Sequence, residues 1–213
     1  MQWMRISELD LGTPGAPLNH LELVRLAAQD MTDRDHSRLE NSTIFYFCAA
    51  YNREEAGQFE WVRRCERADC RPSDKPPDYL VATEPNSAPQ FVEVTEVLDR
   101  NRKRQKEYRE ILQKVEQCGI EFAMRDLPET PADYESELIR QAVEVLQGKF
   151  GKRYPVGTWL VVYFNPALRA PRDEDSHLFG IRVIERAVNE LPPPDRIEQV
   201  WILSNTLKIA RLL

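Results

Sequence analysis

Histidine is the scarcest reactive residue of this chain. His20, His36 and His177 are the only three and they are scattered, and no serine or cysteine stands in a nucleophile-elbow sequence, so acyl-transfer chemistry lacks its parts. Cysteine is nearly as rare. Cys48, Cys65, Cys70 and Cys118 lie at irregular spacing in a 213-residue chain that needs no covalent staples, so free thiols are expected. Cys65 and Cys70 are near enough in sequence for a zinc pair, but no second matched pair or neighbouring histidine completes a site. The ten residues GKFGKRYPVG lack the glycine-rich loop with Lys-Ser/Thr that cradles nucleotide phosphates. No stretch approaches the roughly 18 apolar residues of a membrane span. The opening MQWMRISELDLG has no apolar signal core followed by a cleavage site, so the expectation is a cytoplasmic protein with no membrane partner. Internal repeats and low-complexity tracts are absent too.

What is present is ordinary in bulk and uneven in detail. Apolar residues make up 42% and charged residues 30%, which suits one soluble domain across 1–213. A net charge of −6 argues against indiscriminate coating of nucleic acid, which draws on many Lys and Arg contacts to phosphate. Basic charge is nonetheless concentrated locally. Arg100, Arg102, Lys103, Arg104 and Lys106 place five cations in seven residues, and Arg63, Arg64, Arg67, Arg71 and Lys75 form a second basic stretch. A solvated helix face is the plain reading of either run.

Periodicity predicts the elements in turn. A helix is expected over about 19–30, while 43–51, TIFYFCAAY, is too uniformly apolar to assign to strand or helix. Residues 53–67, REEAGQFEWVRRCER, read as a helix with Ala56, Phe59, Val62 and Cys65 on one side and Glu60 beside them. Strands are expected at 79–82 and 90–97, joined by the turn 83–89. A charged helix follows at 99–117, then a short strand at 120–124 and a helix at 131–147. The strand GTWLVVYF (157–164), a helix at 174–190 and the strand 197–203 complete the order, with 207–212 pairing behind a Ser-Asn turn. Helices alternating with strands in this way predict an α/β domain with a mixed central sheet.

Two acids stand out against this background. Asp78 opens the apolar run Tyr79-Leu80-Val81, and Glu93 interrupts Phe91-Val92 and Val94, where a strand ordinarily takes a β-branched or aromatic residue. If the two strands are neighbours, Asp78 and Glu93 fall near one another across the sheet. Strand alternation then places Phe91, Glu93 and Thr95 on one face and Val92, Val94 and Glu96 on the other. Taken singly, each acid has a plainer reading: Asp78 as a turn residue after Pro77, Glu93 as the solvent side of an edge strand.

Pro77-Asp78, fourteen residues, then Glu93-Val94-Thr95 resembles the active-site signature of the PD-(D/E)xK nuclease superfamily, the restriction-endonuclease-like fold. The resemblance implies a nuclease-like core over 53–204, preceded by an N-terminal helical extension (1–52) and followed by a C-terminal strand or tail (205–213). It implies that Asp78, Glu93 and the Val94 carbonyl hold Mg2+ or Mn2+, with Glu60 orienting metal-bound water, and that Gln105 and Tyr108 lie in the helix after the catalytic strand. The implied function is metal-dependent hydrolysis of DNA, with RNA as a second substrate, and the implied nucleic-acid contacts are Arg100, Arg102, Lys103, Arg104 and Lys106. Where the signature has lysine, this chain has Thr95, which can hydrogen-bond water but supplies no positive charge. Three repairs stay open: Thr95 suffices with two metals, Lys103 or Lys106 reaches back from the following helix, or the fold binds nucleic acid or assembles without cutting. A homodimer or an activating protein partner is compatible with each.

Overall fold

A computed structural model describes residues 3–6, 36–55, 58–97, 113, 117, 133–164, 175–204 and 208–213. Its centre is a seven-stranded mixed sheet whose strands lie side by side in chain order. They are β1 (Met4–Arg5), β2 (Trp61–Arg64), β3 (Tyr79–Ala82), β4 (Gln90–Val97), β5 (Thr158–Phe164), β6 (Ile197–Ser204) and β7 (Ile209–Arg211). β1 to β4 pair antiparallel, β4 to β6 run parallel, and β7 returns antiparallel to β6. The fold is therefore α/β with a mixed sheet, as the element order predicts. The C-terminal segment completes its own sheet, through Trp201↔Arg211 and Leu203↔Ile209.

Strand alternation divides the core in two. Helix α1 (His36–Glu54) covers one face with Ile44, Phe47, Cys48 and Tyr51, spaced for one side of a helix, against Val62, Val81, Val94, Val161 and Trp201. This decides the ambiguous TIFYFCAAY in favour of helix. Helices α2 (Tyr134–Phe150) and α3 (Ser176–Asn189) cover the other face, where Leu138, Leu146, Val183 and Ile184 meet Leu160, Val162, Phe164 and Ile202. The expected helices at 131–147 and 174–190 correspond to α2 and α3 within a few residues. The helix expected at 19–30 and the strand at 120–124 lie outside the described residues. So does the helix at 99–117 apart from Gln113 and Gln117, which are helical.

Two expectations fail in the N-terminal third. The segment 1–52 is not a purely helical extension, because Met4 and Arg5 form the edge strand of the sheet. The helix expected over 53–67 ends at Glu54, and WVRR is strand β2 instead. The local cause is Asn52, whose side-chain amide donates to the Phe59 carbonyl at 2.6 Å and accepts from the Phe59 N–H at 2.9 Å. This two-way bond mimics a strand bridge and turns the chain out of the helix.

The packing of α3 is close. A methyl group built on Gly180 would lie 2.6 Å from Phe164 Cδ1 and 3.1 Å from Ile202 Cδ1, both on fully buried side chains. Gly180→Ala should therefore lower unfolding stability by about 1–3 kcal/mol, despite the better helix propensity of alanine. Urea unfolding checks this, and an unchanged or raised midpoint would contradict it.

Candidate metal centre

The pairing of β3 with β4 runs Tyr79↔Val92, Leu80↔Phe91 and Val81↔Gln90. Continued by one residue, this register sets Asp78 directly opposite Glu93, where facing Cβ atoms are about 5 Å apart. Alternation puts both on the α2 side of the sheet. Asp78 Oδ2 accepts the Val94 N–H at 2.9 Å, so its carboxylate sits against the peptide that follows Glu93. The backbone beneath is tied down as well, since the Cys65 N–H donates to the Asp78 carbonyl at 3.1 Å and joins the ends of β2 and β3.

Glu93 does not face solvent. It is 1% exposed, in the middle of a strand with neighbours on both sides. Its Oε1 accepts the Lys149 ammonium at 2.5 Å and the Tyr154 hydroxyl at 2.7 Å, and Lys75 Nζ stands 3.7 Å away. Lys149 also donates to the Val94 carbonyl at 3.1 Å. Oε2 is buried with no hydrogen-bond partner among the described residues. Such an orphaned carboxylate oxygen is costly unless something cationic or proton-bearing reaches it.

The elements that bring these groups together are distinct. Lys149 belongs to the last turn of α2, and Tyr154 to the link from α2 into β5, the strand beside β4. Lys75 comes from the loop between β2 and β3, which is docked on that link: the Lys75 N–H donates to the Arg153 carbonyl at 2.6 Å, and buried Asp74 faces Arg153 Nε at 3.7 Å. Burial, the Glu93 charge and hydrogen bond, and the Asp78 charge push the Tyr154 hydroxyl above the usual phenol range. Tyr154 therefore stays protonated and serves as a donor. Burial and then the neighbouring Lys75 and Lys149 ammonium groups push Lys152 below the usual lysine value, with Glu93 opposing them. Three lysines thus gather about one buried carboxylate.

The second basic stretch is mostly occupied within the fold. Arg63 forms a fork with Asp69 at 2.6 and 2.7 Å, which holds the Asp69 carboxyl below its ordinary range. Arg67 donates to the Pro72 and Asp74 carbonyls, and the Arg64 guanidinium lies 4.4 Å over the Tyr79 ring. Cys48, Cys65 and Cys70 are free thiols, in line with expectation.

Of the residues predicted for the site, the structure joins Asp78, Glu93 and Val94, with Thr95 two residues further along the Glu93 face. It does not bring Glu60 to them. The Glu60 N–H bonds to Ala82 at the far end of β3, about 13 Å along the strand from Asp78, and its carboxylate pairs with Arg5 at 3.4 Å. Glu60 precedes a strand rather than riding on a helix, which removes the premise of its proposed role. Arg100, Arg102, Lys103, Arg104, Gln105, Lys106 and Tyr108 lie outside the described residues. Sequence reasoning missed Lys149 and Tyr154; both lie in GKFGKRYPVG, a basic stretch just ahead of the best buried strand, and nothing local in it ties either residue to Glu93.

The donor set fits a hard divalent ion. The two carboxylates, that of Glu93 with its unpartnered Oε2, and the Val94 carbonyl are all oxygen donors, as Mg2+ or Mn2+ prefers. Among the described residues no group of three or more His, Cys, Asp or Glu side chains is placed to hold a metal, so an ion here would keep several waters, a habit of Mg2+. Comparisons with protein-family models, with curated proteins and with solved structures return no match. Among the described residues no helix is long and apolar enough to cross a membrane.

Tyr154→Phe should remove one donor from buried Glu93 and cost about 1–3 kcal/mol of stability. Denaturant unfolding of the full chain checks this. An unchanged midpoint would mean that the hydroxyl contributes nothing to holding the carboxylate.

Proposed function

We propose that the protein is a divalent-metal-dependent nuclease of the PD-(D/E)xK type, on a restriction-endonuclease-like sheet, hydrolysing phosphodiester bonds of DNA, with RNA as a second substrate. The observation that carries this reading is the meeting of Asp78 and Glu93 at Val94, with the Lys149 ammonium on Glu93. Lys149 supplies the cation that Thr95 cannot. Neither Lys103 nor Lys106 is then required as the replacement for the signature lysine.

Each side chain has a distinct task in this account. Asp78, Glu93 and the Val94 carbonyl hold Mg2+ or Mn2+, which when bound would lower the pKa of a water and offset charge on the phosphate. Tyr154 fixes the orientation of Glu93 through Oε1. Lys149 carries its positive charge into the same place from a helix instead of from the strand, and so can face a phosphate oxygen or the attacking water. Thr95 offers a hydroxyl on that face. Lys75, 45% exposed at its side chain, and Lys152 extend positive charge outward from the acids toward a polyanion. The run from Arg100 to Lys106 adds phosphate contacts beyond the described residues.

A second reading is favoured by one observation. Lys149 already neutralises Glu93 and occupies the Val94 carbonyl, as it would in a nucleic-acid-binding or assembly module that has lost cleavage. Incubation of DNA and RNA with the protein and Mg2+, Mn2+ or EDTA separates the two. The nuclease reading expects metal-dependent cleavage that falls by about a hundredfold or more in Asp78→Ala, Glu93→Ala and Lys149→Met. It further expects partial recovery when Thr95→Lys is added to Lys149→Met, because the charge returns to the same face. Binding without cleavage under every metal would establish the module instead.

A further inference from the structure

The Lys149 ammonium stands on two of the three groups offered to the cation. It is 2.5 Å from Glu93 Oε1 and 3.1 Å from the Val94 carbonyl, while Asp78 is engaged with the Val94 N–H. An ammonium and a divalent ion held on the same carboxylate and the same carbonyl stand within a few ångströms of each other and repel strongly, and Glu93 Oε1 already accepts from both Lys149 and Tyr154. Lys149 is also well placed to leave. Its side chain is 18% exposed, on the final turn of α2, and its four-carbon stem gives the amine several positions to occupy.

We infer that Lys149 is a resident counter-ion that occupies Glu93 and the Val94 carbonyl at rest and is displaced when a divalent cation binds, which frees its ammonium for the phosphate or the attacking water. The inference rests on the proposed metal-binding reading of Asp78 and Glu93 and adds a regulatory step to it. Metal affinity is weakened by Lys149, although the same residue is needed for cleavage. Removing it should therefore tighten metal binding and abolish activity together, a combination that a ligand-supporting or merely structural lysine would not give. Lys75, 3.7 Å from the same oxygen and more exposed, should compete less.

Mn2+ titration of the full chain by electron paramagnetic resonance, with no nucleic acid present, tests this. Wild-type protein should bind Mn2+ in a manner lost in Asp78→Asn, and Lys149→Met should bind about tenfold tighter or more, since a hydrogen bond between charged groups no longer has to be broken. Lys75→Met should show a smaller gain. Lys208→Met, which removes a distant lysine paired with Asp175, should match wild type and so controls for net charge. Asp78-dependent binding with unchanged or weaker affinity in Lys149→Met overturns the displacement and leaves the metal reading standing. No Mn2+ binding by wild type or Lys149→Met overturns both.

A measurement on wild type guards against a variant that does not fold. Reductive methylation of Lys149 by formaldehyde and borohydride, read by peptide mass spectrometry, should rise when Mn2+ saturates the protein. Labelling that stays constant with and without Mn2+ overturns the proposal.

Discussion

A carboxylate at the centre of a sheet is the constraint around which the rest of this molecule is arranged. Glu93 lies between β3 and β5 with almost no contact with water, and an uncompensated charge in such a place costs several kcal/mol. Compensation arrives from three directions: the end of α2 through Lys149, the link into β5 through Tyr154, and the loop before β3 through Lys75. Each contact also fixes the element that carries it. The docking of α2, the entry to β5 and the seat of the loop 72–77 are tied to one acid, so this side of the fold and the site are stabilised together.

The antiparallel register is the second determinant. A slip of one residue between β3 and β4 would send Glu93 into the apolar layer under α1 and bring Val92 or Val94 to face α2. The bond from the Val94 N–H to Asp78 holds that register with the side chain that forms the other half of the acid pair. Retaining a half-compensated acid in a core makes poor sense for stability alone, since well-packed apolar residues would do as well or better there. The arrangement makes sense for a protein that uses the charge.

The acid pair was legible because it depends on local rules. Two short apolar runs joined by a polar turn form a hairpin, alternation assigns the faces, and an acid flanked by valines announces itself. The existence of the strands from β3 onward and the return of β7 follow from the same kind of reasoning. The stretch around Phe59, Val62 and Cys65 misled because a spacing of three satisfies a helix, while the actual path was decided by the side chain of Asn52 closing on Phe59. Glu60 was misplaced for the same reason. Lys149 was invisible to periodicity: it lies 56 positions from Glu93, and only the docking of α2 on the sheet brings the two together. The cations expected from the sequence, Lys103 and Lys106, follow β4 directly in the chain, whereas the structure supplies Lys149 from the helix directly before β5.

Metal-dependent cleavage by this fold requires the two facing acids to form a cage for a divalent cation. A crystal soaked in Mn2+ and measured near the manganese absorption edge tests it most directly. The predicted result is an anomalous peak bounded by the carboxylates of Asp78 and Glu93 and the Val94 carbonyl, with the Lys149 amine withdrawn from both of its present acceptors. A peak elsewhere, or none, with Lys149 still seated on Glu93, would contradict it.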